Sequence, residues 1–281
     1  MYAIINQKLV PIKEAVLPIN DLSIQRGYGA FDFFRTQNRV PLFIEDHLDR
    51  LQQSVKTLHL TIPFSTADLR KQVAQLMQLH QFPCSGIRIT VTGGLSPDMY
   101  SAGNPNIIIT EQPLTMQGTD NMHPGYRVIT HEHVRELPQI KSINYLTGVW
   151  MQPKVKAAGA DDVLFVKEGY MSELPRSNVF IINQEGVLIT PSENILHGIT
   201  RKKVLSIATE NMRVEVRPVS LNELMEASEA FITSTTKRII PMIAVNGLKI
   251  GNGLPGVITE MLFRSFMNIE EQYFMHRMNN Y

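Results

Sequence analysis

The sequence predicts an α+β protein of two domains, each mixing strands and helices. Three observations predict it. At 281 residues the chain is long enough for roughly two cores. Its first third alternates β-branched runs with amphipathic helical stripes. A stretch without usable period, "QPLTMQGTDNMHPG" (112–125), then precedes a half richer in short strands. The expected organisation is a smaller N-terminal α/β domain over residues 1–115, a linker over 116–125, and a larger C-terminal domain over 126–281 with a barrel-like sheet.

The elements follow in order. "YAIINQKLVPI" carries two apolar runs around a polar turn, the pattern of a hairpin. From Ile44, Leu48, Leu51, Val55 and Leu58 recur three or four apart, a helical stripe with Asp46 near its start. Ser65 and Asp68 form a capping box ahead of Leu69, Val73, Leu76 and Leu79. "GIRITVTGG" and "PNIIITEQP" predict paired strands. Past the linker, "YRVITHEHV", "VLFV", "SNVFII" and "VLIT" predict further strands, and helices are expected near Thr200, at Ser220 with Glu223 as its capping partner, and near Pro255.

Composition excludes several function classes. Hydrophobic residues make up 43% and charged residues 19%, which is globular composition. The net charge of +1 arises from 27 basic and 26 acidic side chains spread along the chain, so nothing favours nucleic acid or an anionic membrane. One cysteine, Cys84, rules out an internal disulfide, and no apolar run reaches the ~20 residues of a membrane span. A soluble cytoplasmic protein is the expectation. The pair His131 and His133 lacks a third ligand at suitable spacing, so no metal site is expected.

Five places carry candidate chemistry. In "LHGITRKKVLSIATE", Gly198 permits close backbone approach, and Ile199 and Thr200 open a helix whose unpaired amides attract an anion; Thr200 as an ordinary N-cap explains the same residues. "ITSTTKR" supplies Ser234, Thr235 and Thr236, which also suit a plain polar loop. Arg50, in "EDHLDRL", offers a fork of donors that suits a phosphate, although a lone helical arginine is more often solvated. Lys141, in "RELPQIKSINYLTG", is an amine that an aldehyde cofactor would trap, and Glu173, in "YMSELPRSNVF", lies between strands where a carboxylate needs a cationic or protonated partner.

The order of these segments, from "QRGYGAFDFFRT" through "EDHLDRL", "IKSINYLTG", "SELPRSNVF", "HGITRKKV" and "FITSTTKRIIPM", resembles the class IV, fold type IV pyridoxal-phosphate (PLP) enzymes, with branched-chain members nearest. The resemblance implies that Lys141 holds PLP as a Schiff base and moves the proton at the substrate Cα, that Glu173 pairs with the pyridine nitrogen, and that Tyr145 approaches the phenolic oxygen. It further implies that Arg50, the Ile199 and Thr200 amides, Ser234 and Thr235 hold the cofactor's phosphate end, and that Phe31, Arg35 and Thr236 line the substrate pocket. The implied reaction is amino transfer from an L-amino acid to a 2-oxo acid by a homodimer. Aminodeoxychorismate lyase and an inactive PLP-binding homologue are the alternatives. The chain departs from the pattern at Asp32 and Phe33, at Gly93 and Gly94 where D-amino-acid enzymes carry an arginine, and at Leu174, Pro175 and Arg176.

Overall fold

A computed structural model describes residues 1–115 and 122–278. Residues 116–121 of the expected linker lie outside that range. The described residues fall into two compact units, one made of residues 1–115, 140–144 and 273–278, the other of 122–139 and 145–272.

The first unit is built on a six-stranded antiparallel sheet in the order Lys8–Pro11, Tyr2–Ile5, Ile107–Pro113, Cys84–Thr92, Gly29–Gln37, Val40–Pro41. The first two strands form the expected hairpin, with Asn6 and Gln7 at its turn both at positive φ, as a two-residue connection requires. The helices Ile44–Thr57 and Thr66–His80 pack on one face of this sheet. Ser65 caps the second helix in a reciprocal box with Asp68. Leu48, Leu51, Val55, Leu69, Val73 and Leu76 enter the same core as Ile87, Ile89 and Ile109 of the sheet. Each such side chain contributes about 1.5–3 kcal/mol by leaving water. The strand Gly29–Gln37 is not evident from periodicity. Its alternation is hidden because Phe31 and Arg35 on one face and Asp32 and Phe34 on the other are all buried.

The second unit curls an eleven-stranded sheet into a half-barrel. Its path runs Val214–Val216, Leu188–Thr190, Ser177–Ile182, Glu229–Ser234, Arg238–Val245, Tyr126–Glu132, Asp162–Lys167, Tyr170–Met171, Val219–Ser220. The fold class is the α+β fold type IV architecture expected from the sequence. The helix Leu221–Glu226 starts in the expected capping box of Ser220 and Glu223. At the helix Ile199–Thr209, however, the N-cap is Gly198, and Thr200 lies inside the first turn. The reading of Thr200 as the cap is therefore corrected. No helix among the described residues is long and apolar enough to cross a membrane.

Candidate active site

In the first unit, the segment 140–144 lies alongside the strand Gly29–Gln37. The Phe31 N–H donates to the Lys141 carbonyl at 2.9 Å and the Ile143 N–H to the Gly29 carbonyl at 3.1 Å. Lys141 thus sits in a short extended segment bridged to the sheet. Its own N–H donates to Ser54 Oγ at 3.3 Å, and its ammonium lies 4.6 Å from the centroid of the Phe31 ring.

His47, Arg50 and Ser54 are three and four residues apart and share one helical face. That face meets Asp32, which is fully buried. Arg50 Nε and Nη2 donate to the two Asp32 oxygens, each at 2.8 Å, and His47 Nδ1 stands 2.7 Å from Asp32 Oδ1. Burial alone would raise the Asp32 pKa, but the Arg50 and His47 charges and their hydrogen bonds hold it well below the usual carboxylate range. Burial lowers the His47 pKa; Asp32 opposes that shift, while Arg50 and Lys141 reinforce it. The departure at Asp32 therefore has a structural role, fixing the guanidinium of Arg50. Arg35 is buried on the opposite face, with Phe31. Phe33 is half-buried and lies across Gly86, where an added Cβ would come within 2.4 Å of its Cζ.

In the second unit, Glu173 is buried and its two oxygens are separately occupied. Arg135 Nε donates to Oε1 at 2.7 Å, and Arg135 Nη2 lies 2.6 Å from the same oxygen. The Leu196 N–H donates to Oε2 at 2.9 Å, with Asn178 Nδ2 at 3.5 Å. This constellation compensates a carboxylate whose burial would otherwise be costly. Asn178 also donates to the Leu196 carbonyl at 2.8 Å.

Beside Asn178 the helix Ile199–Thr209 begins without a side-chain cap, and Ile199 and Thr200 are both buried in its first turn. A Cβ on Gly198 would sit 2.1 Å from Asn178 Oδ1, so only glycine lets the helix approach this closely. The helix packs on the strand Glu229–Ser234, whose Thr233 faces Asn178 in register. Ser177 Oγ and Thr233 Oγ1 are buried and make no hydrogen bond among the described residues. Ser234 Oγ accepts from the Lys237 N–H at 3.2 Å, closing the turn that carries Thr235, half-buried, and Thr236, exposed. Tyr145 is half-buried at the start of the helix Leu146–Trp150.

The structure therefore groups Lys141 with Arg50, Phe31 and Arg35 in the first unit. It groups Glu173 with Ile199, Thr200, Ser234 and Thr235 in the second, together with Tyr145 and Thr236. Sequence reasoning missed Arg135, Asn178 and His47. The available signal for Arg135 was an arginine six residues before the lysine; the other two gave none, because the contacts of His47 with Asp32 and of Asn178 with the Leu196 carbonyl form only when separate elements pack together.

The amino-transferase class IV family profile matches residues 29–245. A D-alanine aminotransferase of Bacillus licheniformis is 31% identical over 95% of this chain and 96% of that protein. A putative branched-chain-amino-acid aminotransferase of Methanocaldococcus jannaschii is 32% identical over 96% of each. Among solved structures, the branched-chain aminotransferase of Thermoproteus uzoniensis with norvaline superposes with a TM-score of 0.86 at 26% identity, covering 97% of both chains. The branched-chain amino acid aminotransferase of Escherichia coli gives 0.87 at 22%, covering 96% of this chain and 94% of that one. A branched-chain amino acid aminotransferase solved with pyridoxamine 5'-phosphate also gives 0.87, at 24% identity, covering 95% of this chain and 92% of that one.

Proposed function

The chain belongs to the class IV aminotransferase family and is a PLP-dependent enzyme, and from that premise we propose that it moves an amino group from an L-amino acid, branched-chain in the nearest reading, to a 2-oxo acid. When bound, PLP supplies an aldehyde that captures an amine and a ring that withdraws electrons from the substrate Cα. The residues present fit such a group. An uncapped helix N-terminus and the hydroxyl of Thr233, which makes no hydrogen bond among the described residues and faces Asn178 beside that helix, are donors suited to a phosphate.

The observation that carries the reading is Glu173, a buried carboxylate held by Arg135, the Leu196 amide and Asn178. Those donors keep it oriented to accept a hydrogen bond from a protonated ring nitrogen. Lys141 is the amine assigned to the covalent attachment and to proton movement at Cα. Arg50, oriented by Asp32, and the Ile199 and Thr200 amides, with Ser234 and Thr235, are assigned to the phosphate end, and Tyr145 to the phenolic oxygen. Phe31, Arg35 and Thr236 are assigned to the substrate pocket.

The L preference is supported at Gly94, which is left-handed with φ +77°; a Cβ there would lie 2.0 Å from the Asn104 carbonyl, leaving no room for the arginine of D-amino-acid enzymes. The identity to the D-alanine aminotransferase favours a second reading, a D-amino-acid donor. Absorbance titration of the holoenzyme with L-leucine and D-alanine separates them. Conversion of the aldehyde band to the amine form by L-leucine is expected, and conversion by D-alanine alone overturns the L assignment. Lys141→Ala is expected to abolish conversion. Glu173→Gln is expected to lower kcat by at least about a hundredfold, since it removes the charge that favours a protonated ring nitrogen; an unchanged kcat counts against its role.

The proposed assembly is a cytoplasmic homodimer. Leu146, Val149 and Trp150, exposed on one short helix, support an association surface, and light scattering of the purified protein tests it.

A further inference from the structure

A concavity in the first unit is lined by none of the residues assigned above. It encloses about 300 Å³, the scale of a small-ligand site. Its lining is apolar where Val40, Ile44, Val73 and Met77 meet, and Arg39, Arg70 and Arg277 stand around it. Among the described residues, one carboxylate pairs with two of these three guanidinium groups. Glu45 takes Arg70 at 3.1 Å and Arg277, and it also accepts from the Tyr273 hydroxyl at 2.7 Å. Arg39 has no side-chain hydrogen bond or ion pair among the described residues. It is exposed in the turn between the strands Gly29–Gln37 and Val40–Pro41, where Asn38 and Arg39 both adopt positive φ. That conformation is uncommon for an arginine, so the turn sequence is not explained by backbone preference alone.

An apolar cavity ringed by excess positive charge is complementary to a molecule with an aliphatic body and one anionic head. We propose that this cavity binds a small amphipathic carboxylate, its chain against Val40, Ile44, Val73 and Met77 and its carboxylate beside Arg39. A carboxylate accepting from a guanidinium gains a charge-assisted bond that a neutral head does not. The site is independent of the amino-transfer reading and stands or falls separately from it.

Isothermal titration of the holoenzyme with sodium octanoate tests the proposal, with octan-1-ol as the neutral probe. Two variants locate the binding. Arg39→Asn removes the charge while placing at the left-handed position a residue that tolerates it. Ala74→Trp puts a ring into the cavity from an exposed position on the helix Thr66–His80, with circular dichroism to check folding. The expected result is saturable one-to-one octanoate binding, at least about tenfold tighter than octan-1-ol, weakened about tenfold in Arg39→Asn and abolished in Ala74→Trp. Three results each overturn it: no saturable binding, octan-1-ol binding as tightly as octanoate, or octanoate affinity unchanged in both variants. The last places the carboxylate elsewhere, the amino-acid site included.

Discussion

Asp32 illustrates how one buried charge sets the state of its neighbours. Its carboxylate binds Arg50 through two donors and His47 through a third contact, all inside the protein. Removing one partner of such a group leaves the others uncompensated, so Asp32→Asn is expected to destabilise the protein by about 3 kcal/mol in urea unfolding. A change below about 0.5 kcal/mol would mean that the network is not a stabilising one. The same cluster sets a pH dependence. The His47 pKa is lowered from 6.5, so above that value the histidine is neutral in both states and its contribution is fully present. As the pH falls below 6.5 the unfolded chain takes up a proton that the folded one refuses, and stability declines. The Asp32 contribution is present above 3.8 and is lost only as the pH falls through its depressed folded value. Urea midpoints between about pH 7.5 and 5.5 should therefore drop more steeply in the native protein than in His47→Gln; equal slopes would refute the assignment. Local sequence carries none of this. Glu173 announces itself by lying between two apolar strands, but Asp32 and His47 are separated by fifteen residues and acquire their meaning only when a strand and a helix pack together.

The local elements show which signals survive in sequence. Both capping boxes, Ser65 with Asp68 and Ser220 with Glu223, form as expected because each depends on residues three apart. The start of the helix Ile199–Thr209 is legible to within its cap, since the tight approach to Asn178 that makes Gly198 the cap is a tertiary fact. The strand Gly29–Gln37 escapes because burial on both faces erases the alternation that marks a half-exposed strand. The Gly198 packing can be measured. A methyl group there must displace Asn178, which also contacts Glu173 and the Leu196 carbonyl. Gly198→Ala is expected to cost about 1–3 kcal/mol of stability. It should also weaken PLP retention on dialysis, whereas stability lost with retention intact would separate the helix start from the cofactor site.

At the scale of the molecule, the first unit is completed by residues that the chain supplies late. Residues 140–144 bring Lys141 to the strand Gly29–Gln37, and residues 273–278 bring Tyr273 and Arg277 to Glu45. Contiguous boundaries drawn from composition have no access to such returns, because a linker leaves a local trace and a distant contact does not. Tyr273 offers a direct test of the second return. Burial, then the hydrogen bond and charge of Glu45, push its pKa up to about 12 from 10.0. A raised pKa means stability that is fully present below 10.0 and is lost as the pH rises toward 12, because the unfolded tyrosine ionises first. Tyr273→Phe should therefore be less stable than the native protein by about 1 kcal/mol at about pH 8. The difference should narrow above about pH 10, when the native protein alone bears the cost of keeping the phenol protonated. A double-mutant cycle with Glu45→Gln should return most of that energy as coupling between the two side chains. A difference that stays constant from about pH 8 to about 11.5, or a coupling near zero, would show that residues 273–278, the end of the helix Val257–Met278, dock through their apolar contacts, with Phe43 packed on the Tyr273 ring at 4.8 Å, and that the Glu45 bond adds nothing.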